Sequence, residues 1–296
     1  MRVVIAGASG FLGTHLTAQL RSHGHEVTPL VRREAREARE SRWDPYAGVL
    51  DQTVVDSADV VVNVAGSPLF GNPHSSRYRQ QLFESRIVTT RVLSEAVARA
   101  GGRPALLANN GTSYYGDHGS DVLTEDCESR GDALLTRLAR EWQAATAPAS
   151  EAGARVCVLR TAPVLDRASV TLKLLKGLFW CGLGARLGDG RQYFPLISLR
   201  DWVGAAVYLA ESRDVSGVFN LCCPHTPTNL AFTEALAAAL HRPAFLAAPA
   251  GVLRLGAGQM APELLNSLNV RPAALERAGY DFEDEDVREV LAAALA

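Results

Sequence analysis

The sequence predicts an α/β fold: a doubly wound parallel sheet that carries a smaller C-terminal lobe. Three observations lead there. A short β-branched run, Arg2–Ala6, opens the chain and runs straight into the glycine-spaced turn Gly7-Ala8-Ser9-Gly10-Phe11-Leu12-Gly13. Apolar strand-like runs then alternate with amphipathic helical stretches, the pattern of a parallel sheet with helices on both faces. After about Ala162 the texture changes to shorter elements with frequent Gly and Pro.

Taken in order, Phe11, Leu12, Leu16 and Leu20 have helical spacing, and Ser22-His-Gly-His25 ends that helix. Glu26–Val31 reads as the second strand. Ala58–Ala65 and Ala105–Asn109 are further buried strands, separated by the long amphipathic stretch Arg79–Ala100. Arg137–Ala147 is helical and Val156–Leu159 extended. Beyond them Trp202–Ser212, Phe232–Leu240 and a glycine-kinked Val252–Leu265 read as helices, and the acidic Asp281–Asp286 precedes a last helix to Ala296. Residues 1–162 are assigned to the nucleotide-binding part and 163–296 to a substrate lobe interleaved with the sheet.

The turn carries the sharpest chemistry. In G-x-x-G-x-x-G, Gly7 permits the tight strand-to-helix turn, Gly10 lets backbone approach a diphosphate, and Gly13 lets helix and sheet pack closely. Helix-start amides at Phe11 and Leu12 then point at phosphate oxygens, with Ser9 as a hydroxyl donor. This is the Rossmann-type dinucleotide site. The end of the second strand selects the cofactor. NAD sites usually place an acid there, whereas this strand ends Leu30-Val31-Arg32-Arg33, which suits the 2′-phosphate of NADP(H). Glu34 leaves room for NAD(H), and the arginines also read as a solvated pair.

Composition narrows the partners. With 30 basic and 32 acidic residues, net charge −2, nothing drives the chain toward nucleic acid or an anionic membrane. The expected partner is a small molecule. No secretory signal or membrane-spanning stretch is evident, so a cytoplasmic location is expected. The five cysteines, Cys127, Cys157, Cys181, Cys222 and Cys223, read as reduced thiols. His23-Gly-His25 lies in a turn without companion ligands in the sequence, and no metal is expected.

Further motifs follow in order: Trp43-Asp44-Pro45, Asn63-Val-Ala-Gly66, Tyr114-Tyr115-Gly116-Asp117, Gly188-Asp-Gly-Arg-Gln192 and His241-Arg-Pro-Ala-Phe245. With the glycine turn, they resemble the atypical short-chain dehydrogenase/reductases of the NAD-dependent epimerase-like kind, which carry a distinctive C-terminal region. The resemblance implies an extended short-chain dehydrogenase fold. It implies that Asn63, Ala65 and Gly66 line the cofactor and that Trp43 and Asp44 lie near its adenine end. Read as a residue alone, Trp43 is equally a packing side chain.

The catalytic apparatus of the resemblance is incomplete. Extended short-chain dehydrogenases pass a proton through Tyr-x-x-x-Lys, and this sequence contains none. The corresponding slots fall near Ala133 and Arg137. What remains is Thr112-Ser113-Tyr114-Tyr115, just beyond a strand end: Tyr114 or Tyr115 as proton donor, Thr112 or Ser113 as a holder of a substrate oxygen. Ser67–Tyr78 can act as a lid, with His74 a further proton donor. Lys173, Lys176, Arg186, Arg191 and Arg200 suit an anionic substrate, and Phe179-Trp180 and Tyr193-Phe194 an apolar wall. Three functions are expected to compete: an NADP(H)-dependent oxidoreductase, a non-redox isomerase, dehydratase or cyclase, and a non-catalytic NADP(H)-binding regulator. A homodimer through Arg79–Ala100 and Arg137–Ala147 fits the superfamily, with Arg86, Arg91 and Arg140 leaving it open.

Overall fold

A computed structural model of the chain describes residues 1–69, 71–72 and 74–296. It falls into two compact units: Met1–Asn110, Arg140–Leu159 and Val203–Val218 in the first, Gly111–Ala139, Arg160–Trp202 and Phe219–Ala296 in the second. No single cut separates them, because the chain crosses from one to the other five times.

The first unit is built on β1 (Arg2–Ala6), β2 (Glu26–Val31), β3 (Ser41–Asp44), β4 (Val49–Leu50), β5 (Val60–Asn63) and β6 (Ala105–Gly111). With β8 (Val156–Thr161) and β12 (Gly217–Leu221), they form an eight-stranded sheet in the order β12-β8-β6-β5-β1-β2-β3-β4. β1 pairs in parallel with both β2 and β5, and β5 with β6; only the short β4 is shown to run antiparallel, against β3. β1 is therefore the switch point from which the chain winds both ways, and the loops after β1, β2 and β5 leave the same edge. Strands buried on both faces are continuous apolar runs, as Val60–Val62 is.

Helices α1 (Phe11–Ser22), α2 (Gln52–Asp56), α3 (Ser76–Arg99) and α5 (Ala147–Glu151) belong to this unit, and α4 (Leu134–Ala144) runs into it. Leu93, Ala96 and Val97 of α3 pack with Val4, Val61, Leu106 and Ala149 in one core cluster. Each large apolar side chain buried this way contributes about 1.5–3 kcal/mol. α3 starts three residues before the periodicity suggests, because the Ser75 hydroxyl accepts from the Tyr78 amide and caps it.

The second unit holds three short parallel pairs: β7 (Val122–Leu123) with β14 (Asn269–Val270), β9 (Val164–Leu165) with β11 (Ile197–Ser198), and β10 (Ala185–Leu187) with β13 (Leu246–Ala248). Its helices are α6 (Val170–Trp180), the start of α7 (Leu199–Glu211), α8 (Asn229–Leu240), α9 (Ala250–Ala257), α10 (Ala261–Leu265), α11 (Ala273–Ala278) and α12 (Val287–Leu295). Two expectations change here. The kinked helix over Val252–Leu265 is two helices, broken at Gly258 with φ +53° and restarted at Ala261, with Pro262 in the first turn. No helix is expected from the sequence at α6, where Lys173, Lys176 and Gly177 interrupt a leucine-rich run; its start is set by the Ser169 cap on the Leu172 amide. Among the described residues no helix is long and apolar enough to cross a membrane.

Candidate functional site

At the end of β1 the chain turns at Gly7 with φ +86°, a left-handed conformation that a Cβ would strain and drive to 2.7 Å from the Ala65 nitrogen. Gly13 is required for another reason, since a Cβ there would stand 2.1 Å from the Gly7 carbonyl oxygen. The Gly10 amide donates to that same carbonyl at 2.9 Å and closes the turn. No side chain caps α1 at Gly10, and the amides of Phe11 and Leu12 have no acceptor among the described residues. Free amides at the positive end of a 12-residue helix, with backbone exposed at Ser9 and Gly10, fit a diphosphate.

The arginines beyond β2 divide their work. Arg33 grips Glu40 through both terminal nitrogens, at 2.7 and 2.5 Å, and this pairing holds the Glu40 carboxyl down at about 2. Arg33 is thus committed to shaping the 33–40 loop, a correction to its expected role as a phosphate ligand. Arg32 is exposed and makes no ion pair with any described residue. The acid that might have favoured a ribose diol, Glu34, pairs with Arg42 at 2.6 Å. Trp43 is a core side chain, 2% exposed in the cluster with Val4, Leu30 and Val55, so it supplies packing and not ligand surface. Asp44 accepts from the Tyr46 and Ala47 amides and fixes the turn to β4.

After β5, Asn63 is fully buried and spends its whole side chain on structure. Its amide donates to Thr90 at 2.8 Å and Thr89 at 3.3 Å, and its oxygen accepts from the Ala65 amide at 3.0 Å. Thr90 in turn accepts from the Trp142 indole at 2.8 Å. Asn63 positions the Ala65–Gly66 backbone rather than reaching a ligand itself, whereas Gly66 is exposed and Ala65 partly so. Arg86 backs the same loop. It is buried, donates to the Ser67 carbonyl at 2.9 Å and lies 5.4 Å from the Trp142 ring centroid. Burial pulls its pKa down to about 10, and no carboxylate among the described residues pairs with it. It therefore cannot decide a surface interface on α3. The expected lid, Ser67–Tyr78, includes Phe70 and Pro73, which lie outside the described residues; His74 is exposed.

In the second unit, directly beyond β6, the four expected catalytic residues separate. Tyr115 is fully buried with Leu123, Ala162, Cys222 and Val270, its hydroxyl donating to Asn220 at 2.7 Å and accepting from Arg160 at 2.8 Å. Burial pushes that phenol above its ordinary range, so Tyr115 is corrected from proton donor to framework. Thr112 is likewise buried. Tyr114 is partly exposed, with the Arg160 guanidinium 3.5 Å over its ring. Ser113 is partly exposed and donates to Glu263 Oε2 at 2.7 Å. Burial pushes the Glu263 carboxyl up to about 7, against the lowering effect of the serine bond. A carboxyl that exchanges its proton near neutrality beside a hydroxyl has the chemistry that general acid–base catalysis requires.

The glycine turn and this sheet have a counterpart among characterised families. Residues 3–222 match the NAD dependent epimerase/dehydratase family model. The chain belongs to that family. Residues 248–294 match a domain of unknown function, DUF1731, which accounts for the distinctive C-terminal region. An epimerase family protein of Mycobacterium tuberculosis is 40% identical over 290 residues, covering 98% of this chain and 96% of the relative. The crystal structure of human epimerase family protein SDR39U1 (isoform 2) with NADPH superposes with a TM-score of 0.88 at 30% identity, covering 99% of both chains. A nucleoside-diphosphate sugar epimerase from Corynebacterium glutamicum gives 0.79 at 34% identity, over all of this chain and 58% of that one.

Against the family's usual Tyr-x-x-x-Lys, Arg137 sits exposed on α4 and Ala133 just before it, so neither slot holds a phenol or an amine. The expected basic surface also thins out: Arg200 is held by Asp284 at 2.7 Å and by Glu283 at 3.2 Å. Phe194 packs on Phe232 inside the core, while Trp180 stands exposed under Arg242. Sequence reasoning missed Glu263 and Arg86. Glu263 did leave a signal, as the only acid between Glu234 and Glu276. Arg86 left none, because nothing local distinguishes it from the exposed Arg91 on the same helix.

Proposed function

We propose that this protein binds NADP(H) at the turn after β1 and acts as an oxidoreductase on a small molecule, with Ser113 and Glu263 in the place of the missing tyrosine and lysine. The observation that carries the cofactor reading is Arg32, an exposed guanidinium without an ion pair among the described residues, just beyond β2 where NAD sites hold an acid. The NADPH in the human relative's structure supports it.

The residues present fit the group. Phe11 and Leu12 amides take the diphosphate, Arg32 takes the 2′-phosphate, and Asn63 holds the Ala65–Gly66 backbone in place. When bound, the nicotinamide gives or accepts hydride. The proton falls to the chain: Ser113 holds the substrate oxygen, and Glu263, poised near neutrality, gives or takes the proton through the serine hydroxyl.

A second reading, a non-redox isomerase or dehydratase, is favoured by the same Ser113–Glu263 pair, which moves protons without needing hydride. Calorimetric titration with NADPH and NADH on wild type and Arg32→Ala tests the cofactor. Arg32→Ala should lose tenfold or more NADPH affinity with NADH unchanged, and equal wild-type affinity for both would remove the argument. Substrate-dependent NADPH oxidation then separates the two chemistries, since the second forms product with the cofactor unchanged.

A further inference from the structure

The α1–β2 turn holds a cluster that plays no part in the chemistry above. His23 ends α1, Gly24 turns with φ +79°, and His25 precedes β2. The left-handed glycine lets both imidazoles converge, their ring centroids 6.2 Å apart and their planes at 56°. The companion absent from the local sequence comes from the last residue of α7. His23 Nδ1 lies 2.9 Å and His25 Nε2 2.8 Å from the same oxygen, Glu211 Oε1, and the three donor atoms fall within 4.8 Å of one another.

We propose that His23, His25 and Glu211 form a site for a divalent transition-metal ion, with Zn²⁺ the best fit. Two imidazole nitrogens and one carboxylate oxygen are a borderline-soft set suited to Zn²⁺ and ill suited to Mg²⁺ or Ca²⁺. Tetrahedral bonds of about 2.0–2.1 Å space ligand atoms about 3.3 Å apart, so each ring retreats from Glu211 by about 0.5 Å while the two imidazole nitrogens close by up to about 1.5 Å. The His25 side chain is 13% exposed and fixed, whereas those of His23 and Glu211 are about 40% exposed, which leaves water access to the fourth position. The Gln19 side-chain amide nitrogen lies 3.2 Å from His23 Nε2; with an ion on Nδ1 that ring nitrogen carries the proton, and a half-turn of the amide brings its oxygen round to accept it, as outer partners of metal-bound histidines do.

Position assigns the role. The turn precedes β2, whereas the glycine turn follows β1, and the two strands are parallel, so this cluster lies at the opposite edge of the sheet from Gly7–Gly13. The ion ties α1 and β2 to the end of α7. It stabilises the first unit without touching the cofactor.

Calorimetric titration of tag-free, EDTA-treated protein with ZnCl2 tests this, together with thermal unfolding and the visible spectrum on Co²⁺ substitution. Expected are one Zn²⁺ per chain, a raised Tm, and the intense absorption of four-coordinate Co²⁺. His23→Ala, His25→Ala and Glu211→Gln should each weaken Zn²⁺ binding tenfold or more while NADPH affinity stays unchanged. His23→Ala changes an exposed side chain and so keeps the test independent of folding. No saturable binding, or equal binding by wild type and all three variants, overturns the site.

Discussion

The Ser113 hydroxyl donates a 2.7 Å hydrogen bond to Oε2 of Glu263, a residue 150 positions further along the chain. One partner follows β6 and the other lies on α10, in the region matched by a domain of unknown function. That region thus contributes a group of defined chemistry to the second unit.

Glu263 makes stability depend on pH. Burial raises its carboxyl to about 7, so the folded chain keeps a proton that the unfolded chain releases near pH 4.3. The stabilisation is complete below that lower value and is lost as pH rises to 7. Between pH 4.5 and 7 the wild type should lose up to about 3 kcal/mol relative to Glu263→Gln. Urea denaturation of both proteins across that range measures it, and parallel curves would count against an elevated carboxyl.

The two tyrosines should respond differently. Tyr115→Phe strips a buried hydroxyl from Arg160 and Asn220 and should cost about 1–3 kcal/mol. Tyr114→Phe removes a hydroxyl from a partly exposed ring and should leave stability within about 0.5 kcal/mol. Denaturant midpoints of the pair check this; an equal loss in both would mean that Tyr114 is also framework.

Glycine substitutions separate crowding from conformation. Gly13→Ala places a Cβ 2.1 Å from the Gly7 oxygen and should lower Tm by about five degrees, on the order of 3 kcal/mol, with loss of NADPH binding. Gly24→Ala meets no neighbour and bears only its φ of +79°, so about 1 kcal/mol is expected and cofactor binding should persist. Thermal melts with and without NADPH distinguish them.

Asn63→Ala leaves the Ala65 amide without its acceptor and removes one of the partners of the Thr89 and Thr90 hydroxyls, and should cost about 1–3 kcal/mol. Asn63→Asp retains an acceptor for Ala65 and should keep more of the cofactor affinity. If titration shows both variants binding NADPH like the wild type, Asn63 does not position the loop.

Arg33→Ala breaks the pair with Glu40, and its effect on NADPH affinity should stay under threefold, well below that of Arg32→Ala. The reverse ranking in parallel titrations would exchange the two roles.

The sequence by itself determined the parallel sheet, the phosphate turn and the family, because all three rest on local rules. Strand burial, helical spacing and the backbone freedom of Gly7 and Gly13 act within a few residues and leave a periodic or positional trace. Which arginine stays free was not legible: Arg32 and Arg33 are neighbours, and only the fold brings Glu40 onto Arg33. The same holds for Tyr114 and Tyr115, divided by a core that draws on Leu123, Ala162, Cys222 and Val270. Ser113 met Glu263, and His23 and His25 met Glu211, only once the chain had closed over 150 and about 190 residues. Local pattern shows which residues can fold together, whereas burial and pairing across such separations are set by packing, and these decide which side chains remain available for chemistry.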